Sequence, residues 1–180
     1  PIVDQHMHLD RENRFISAAE EFSRSGGTEI FLVHKPSFSK TLPTDLNGYR
    51  EVYRDTIKMA EIVRKKTELK VNVVLGPHPV VWDIQANDIG VKASSELHIS
   101  AVGLALDMIE EGDAICLGEV GRPHYSVPED RWTEANDLLL EIMRMASSSN
   151  SPVQLHVEEN GNQTCRDIAK LCDRSGLSKR

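Results

Sequence analysis

Two periodicities alternate along this sequence from one end to the other, and that alternation restricts the fold more than any single residue does. Short β-branched and apolar runs occupy 2–6, 29–34, 70–76, 114–119 and 152–157, the length and composition of buried strands. Between them, apolar residues recur every three or four positions, the spacing that lines one face of a helix. Phe15, Ala18 and Phe22 form one such stripe, and Tyr49, Val52, Tyr53, Met59, Ala60 and Val63 another. Leu97, Ala101, Leu104, Ala105 and Met108 form a third. The stripe through Trp132, Ala135, Leu138, Leu139, Ile142 and Met143 is the strongest, and Cys165, Ile168, Ala169 and Cys172 give a short last face. The pattern is β-α, five times over. Strands joined through helices run parallel, and helices cover the faces of parallel sheets. The sequence therefore predicts a single α/β domain over 1–180, and pattern alone leaves open sheet and closed barrel as alternatives.

Punctuation supports the pattern. Ser126-Val127-Pro128-Glu129 reads as a capping box with a proline in the first helical turn, and Thr164 with Asp167 as a weaker one. Connections from helix to strand are short (25–28, 111–113, 148–151), whereas those from strand to helix are long (35–48, 77–91, 120–128). In such folds the working face lies at the C-terminal ends of the strands. The long connections place the expected site there.

The formal net charge of the 180 residues is −7, which gives no global attraction to nucleic acid or to an anionic membrane. A nucleic-acid substrate would need local cations. Three cysteines and no C-x-x-C motif predict reduced thiols and a cytoplasmic protein. Cys165 and Cys172, seven apart, are expected to pack on one helix face. No apolar run is long enough for a membrane helix, and the first residues read as a strand rather than a signal peptide. No obligate protein partner is evident.

The first strand ends Asp4-Gln5-His6-Met7-His8. Residues two apart on a strand share a face, so His6 and His8 project together and Met7 points away. Two such imidazoles are either a metal pair or two surface histidines. Glu119, bordered by Gly118 and Gly121 at the end of the fourth strand, is either a ligand or a solvated loop residue; the glycines allow close backbone approach. His156, in the apolar run Val153-Gln154-Leu155-His156-Val157, is either a core histidine or a ligand. These residues stand at the C-terminal ends of strands one, four and five, which converge in a barrel. Imidazole with carboxylate suits Zn, Mn, Ni or Fe better than Ca.

The sequence resembles the TatD-like metal-dependent hydrolases, a branch of the amidohydrolase superfamily of (β/α)8 TIM-type barrels. The resemblance rests on Asp4-x-His6-x-His8-Leu9-Asp10, Gly76-Pro77-His78-Pro79, Gly118-Glu119-Val120-Gly121 and Leu155-His156, in that order and spacing. Glu119 stands where many relatives in the wider superfamily carry a carboxylated lysine, which favours the TatD-like branch. The resemblance implies that His6 and His8 bind one metal, that Glu119, the catalytic residue, bridges to a second, and that His156 binds the second. It implies two divalent ions (Zn, Mn, Mg or Ni) and a phosphodiesterase of deoxyribonuclease type acting on single-stranded DNA. A metal-dependent amidase, lactonase or hydrolase of small phosphoesters on the same site is the alternative, with a non-catalytic fragment as a third.

His78, Arg122 and His124 are expected to bind substrate, the latter two as phosphate partners. Asp10 is a candidate to orient a ligand histidine. Trp82 offers either a base-stacking ring or a packing plug; His98 and His34 read as structural. The family's barrel has eight β/α units and this chain shows five. The family's further histidine after strand six and aspartate after strand eight lie beyond these residues, so the barrel is expected to be truncated and the chain to be part of a longer protein.

Overall fold

A computed structural model describes residues 1–178; the last two positions of the 1–180 domain lie outside the described residues. Among the described residues there are five strands: β1 (Val3–Met7), β2 (Glu29–Val33), β3 (Lys70–Leu75), β4 (Cys116–Gly121) and β5 (Val153–His156). They form one sheet in the order β1-β2-β3-β4-β5, every neighbouring pair parallel. The helices are α1 (Phe15–Arg24), α2 (Leu46–Lys66), α3 (Pro79–Ile89), α4 (Val91–Glu110), α5 (Glu129–Ser148) and α6 (Gly161–Ser175). No helix among the described residues is long and apolar enough to cross a membrane.

The period of two sorts the strand side chains. Ile30, Leu32, Val71, Val73, Leu75, Leu117 and Val120 belong to the large core shared with the helices. The alternate residues Phe31, Val33, Val74 and Cys116 form a small cluster of their own on the other face. That inner face is concave. Gln154 Nε2 on β5 donates to the Gln5 carbonyl on β1 at 2.8 Å. In a flat sheet, four spacings of about 4.8 Å would hold these strands roughly 19 Å apart, beyond the reach of a glutamine. The sheet is therefore curled into a half-barrel, the truncated barrel architecture expected for five such units.

Several local expectations are corrected. The connection at 77–91 is mostly helix: α3 begins at Pro79 and buries Val81, Trp82, Asp83, Gln85 and Ala86 together. Because polar and apolar residues are buried side by side, α3 shows no clean stripe. Pro79 supplies the fixed φ that opens it, and Gly90, at φ 86°, separates it from α4. The box at Ser126 does not form; Pro128 is itself the N-cap of α5, which has no side-chain cap. Thr164 lies inside α6, whose N-cap is Asn160, and its hydroxyl donates to Glu158 instead. Of the two cysteines on α6 only Cys172 is buried. β4 runs to Gly121, so Glu119 sits within the strand rather than at its end.

His98, on α4, is structural as expected, but at a cost. It is fully buried, and neither ring nitrogen has a hydrogen-bond partner among the described residues. Burial, with the nearby His78, depresses its pKa to about 3. A folded-state pKa below the unfolded value ties stability to the neutral form. That contribution is complete above pH about 6.5 and is lost as pH falls toward 3, with a slope approaching ~1.4 kcal/mol per pH unit. Melting curves should be level above neutrality and drop below it, and His98→Leu should flatten the drop. An unchanged acid limb in that variant would contradict this reading.

Candidate metal centre

β1 delivers His6, and His8 follows directly after it. The parity of the strand sends Met7 back into the core and brings His6 Nε2 to 3.2 Å from His8 Nε2. The rings meet edge to face. His8 Nδ1 lies 3.0 Å from the Val33 carbonyl. A carbonyl only accepts, so Nδ1 carries a proton; Nε2 is then the nitrogen turned to His6 and Glu119, bare in the neutral ring and a donor to Glu119 in the charged one.

Glu119 comes from β4, and two glycines let it. A Cβ on Gly121 would stand 1.8 Å from the His156 carbonyl oxygen, and one on Gly118 would stand 2.8 Å from Gln154 Cβ. Only bare backbone lets β4 and β5 approach this closely. The carboxylate is 8% exposed. Its Oε1 is 3.4 Å from His6 Nε2, its Oε2 3.2 Å from His8 Nε2, and its Oε1 2.9 Å from His156 Nδ1. Burial alone would raise its pKa; hydrogen bonds from His156 and His8 and the field of His78 and His6 outweigh this and hold it well below the usual carboxylate range. The His8 pKa is raised: burial opposes the charge, but the bond to Glu119 and the Val33 carbonyl prevail.

Two donor groups share this carboxylate. The ligand atoms of His6, His8 and Glu119 lie within 4.8 Å of one another, and so do those of His78, Glu119 and His156. With metal–nitrogen bonds of about 2.0–2.1 Å, tetrahedral ligand atoms stand roughly 3.3–3.4 Å apart. The two Nε2 atoms, 3.2 Å apart, are close to that edge, and each faces its own Glu119 oxygen, His6 facing Oε1 at 3.4 Å and His8 facing Oε2 at 3.2 Å. The first group fits a divalent cation in its donor chemistry and in its spacing.

His78 has a different part. It caps α3, its Nδ1 accepting from the Val80 N–H at 3.1 Å. Burial, above all, and the neighbouring His156 depress its pKa to about 4, so it is neutral at pH 7. A neutral ring with a bare Nδ1 carries its proton on Nε2. His78 therefore offers the site a donor, and its ring centroid is 4.3 Å from that of His156. A cavity of about 190 Å³ opens beside His78 and His34, walled by Tyr49, Met59 and Val81.

The remaining expected residues divide. His124 is exposed and lies against the centre, its Nδ1 2.7 Å from His156 Nε2. Arg122 does not face substrate. It is 2% exposed and closed in by Glu158 (2.7 and 2.5 Å) and Asn136 (2.6 Å), so the phosphate role expected for it is corrected. Asp10 bonds Lys35 Nζ and the Glu12 N–H rather than either histidine. Trp82 is a core plug, 1% exposed, its Nε1 donating to Ser95. His34 is buried against Thr56 and Tyr53. Sequence reasoning missed Asp83, which takes bonds from Tyr125 (2.6 Å) and Arg131 (2.5 Å) and pins the loop that carries His124 to α3. An aspartate inside an unrecognised helix left no signal.

The sequence matches the TatD related DNase family over residues 3–179, and the chain belongs to that family. An uncharacterised protein of Methanocaldococcus jannaschii is 26% identical over 181 residues, 99% of this chain and 62% of its own length. Among solved structures, a TatD-like protein from Archaeoglobus fulgidus superposes with a TM-score of 0.61 at 16% identity, covering 98% of this chain and 64% of that one. An uncharacterised amidohydrolase from Saccharomyces cerevisiae gives 0.59 at 14% identity, covering 97% and 52%. These two likenesses concern the fold. The chain thus spans less than two thirds of each of these relatives.

Gly121→Ala should separate β4 from β5 and cost about 3 kcal/mol or more, as overpacking against backbone does. Chemical denaturation measures this; a variant as stable as the parent would show that the close approach is not required.

Proposed function

We propose that this chain carries the metal-binding part of a divalent-metal-dependent hydrolase whose substrate is a phosphodiester, single-stranded DNA foremost. The observation that carries the reading is one buried carboxylate, Glu119, shared by two groups of imidazole donors at the C-terminal ends of parallel strands. Membership of a family described as TatD related DNase supports it.

His6, His8 and Glu119 would hold one cation, and Glu119 with His156 a second; Zn, Mn, Ni or Mg suit such donors. Bound there, two divalent ions would lower the pKa of a water and neutralise charge building on a phosphate. The chain's own residues do the rest. Glu119, kept ionised by its surroundings, bridges the two donor groups and is the residue on which hydrolysis depends most. The Val33 carbonyl fixes a proton on His8 Nδ1 and so leaves Nε2 as the nitrogen that would take the cation. His78 donates its Nε2–H to a substrate oxygen, and His124, exposed beside His156, offers a second polar contact. The net charge of −7 favours a second reading on the same residues: a small ester, lactone, amide or phosphoester, which needs no basic surface.

After stripping with chelator and reloading with Zn²⁺ or Mn²⁺, the protein should hold about two equivalents. His8→Ala should lose one, and Glu119→Ala most of both. The full-length protein should cleave a single-stranded oligonucleotide, with activity falling about 100-fold in Glu119→Gln. Intact DNA together with turnover of small esters or amides would select the second reading. No bound metal in either form would refute both.

A further inference from the structure

Arg122 and Glu158 form an ion pair in which the guanidinium is 2% exposed and the carboxylate 19%. Burying a guanidinium costs several kcal/mol, repaid only by close to complete hydrogen bonding. Here the bonding is extensive. Nε and Nη2 meet the two Glu158 oxygens at 2.7 and 2.5 Å, and Nη1 donates to Asn136 at 2.6 Å. The guanidinium stacks on Trp132 at 4.5 Å, and Glu158 also accepts from Thr164 at 2.8 Å. The pair thus ties α5 and α6 to the two points where the chain leaves β4 and β5.

Those two exits are where the candidate ligands stand. Arg122 follows Gly121 at the end of β4, three residues beyond Glu119, and Glu158 comes two residues after His156. The Arg122 backbone N–H donates to the His156 carbonyl at 3.0 Å. The β4–β5 ladder is irregular across Glu119, between Leu117 and Val120, and regains register only at the last two pairs, Val120–Leu155 and Gly121–His156, so the height of Glu119 against His156 rests on the strand exits. A second constraint is needed at the strand exits, and the buried pair supplies it. Net stability is a poor account of such a pair, because replacing a buried pair by apolar side chains is often neutral or stabilising.

We propose that the Arg122–Glu158 pair is a positioning clamp that holds the His156 imidazole on Glu119, and so sets the affinity of the Glu119–His156 cation site without touching the cation. The part concerning the cation rests on the metal-centre reading; the part concerning the imidazole rests on hydrogen-bond geometry alone. Two variants test it: Glu158→Gln, and the paired change Arg122→Met with Glu158→Met, which replaces the ion pair by apolar chains that fill the space. In metal-free protein the ring ¹⁵N resonances of His156 should move toward those of a free imidazole in both variants, while those of His8 stay in place. In calorimetric titration with Zn²⁺, the His6–His8 site should keep its affinity and the second should weaken about tenfold or more. Unchanged His156 resonances and unchanged Zn²⁺ affinities in a variant that melts like the parent would overturn the clamp. So would equal weakening of both sites together with a lowered melting temperature, which would make the pair a stability element only. Should the parent take up no Zn²⁺, the metal-centre reading fails, and the His156 resonances still decide the clamp.

Discussion

The Glu119 carboxylate stands 2.9 Å from His156, 3.2 Å from His8 and 3.4 Å from His6. Apart from it, the groups gathered at this point are imidazoles, and they come from strands that lie far apart in the chain. Two imidazole nitrogens 3.2 Å apart beside an anion invite positive charge, whether a proton or a metal ion. The depressed pKa of Glu119 and the raised pKa of His8 express the same attraction from its two ends. Take away the carboxylate, and nothing holds the two histidine groups as one centre.

The fold exists in the form that brings this carboxylate inward. The curl of the sheet, fastened across its mouth by Gln154 and Gln5, turns the strand ends toward one point. Gly118 and Gly121 let β4 and β5 close on each other where any Cβ would collide. Outside the strands, the buried Arg122–Glu158 pair and the Asp83 contacts with Tyr125 and Arg131 anchor the loops that follow β4 and β5. Charge that could have met solvent is used to hold backbone in place.

Much of this was legible in the residues. The five strands follow from apolar runs, and the grouping of His6, His8, Glu119 and His156 follows from their shared place at the ends of those runs. α3 was not legible, because burying Asp83 and Gln85 beside Trp82 erases the stripe that marks a helix. The tautomer of His78 depends on a backbone N–H two residues on, which only the helix start at Pro79 reveals. Arg122 misled because a cation next to a carboxylate centre reads as a phosphate partner; its true partner, Glu158, is 36 residues away, and no local pattern announces it. The cap at Ser126 misses the N-cap of α5 by two residues, whereas the N-cap of α6 lies four residues before Thr164, whose hydroxyl is used on Glu158 instead.

The central claim is that one carboxylate joins two cation sites. Anomalous diffraction from crystals soaked in Mn²⁺ tests it most directly. The account predicts two peaks on either side of Glu119, about 3.5–4 Å apart, one against His6 and His8 and the other against His156. A single peak, or two peaks of which either lies out of reach of the Glu119 oxygens, would contradict it.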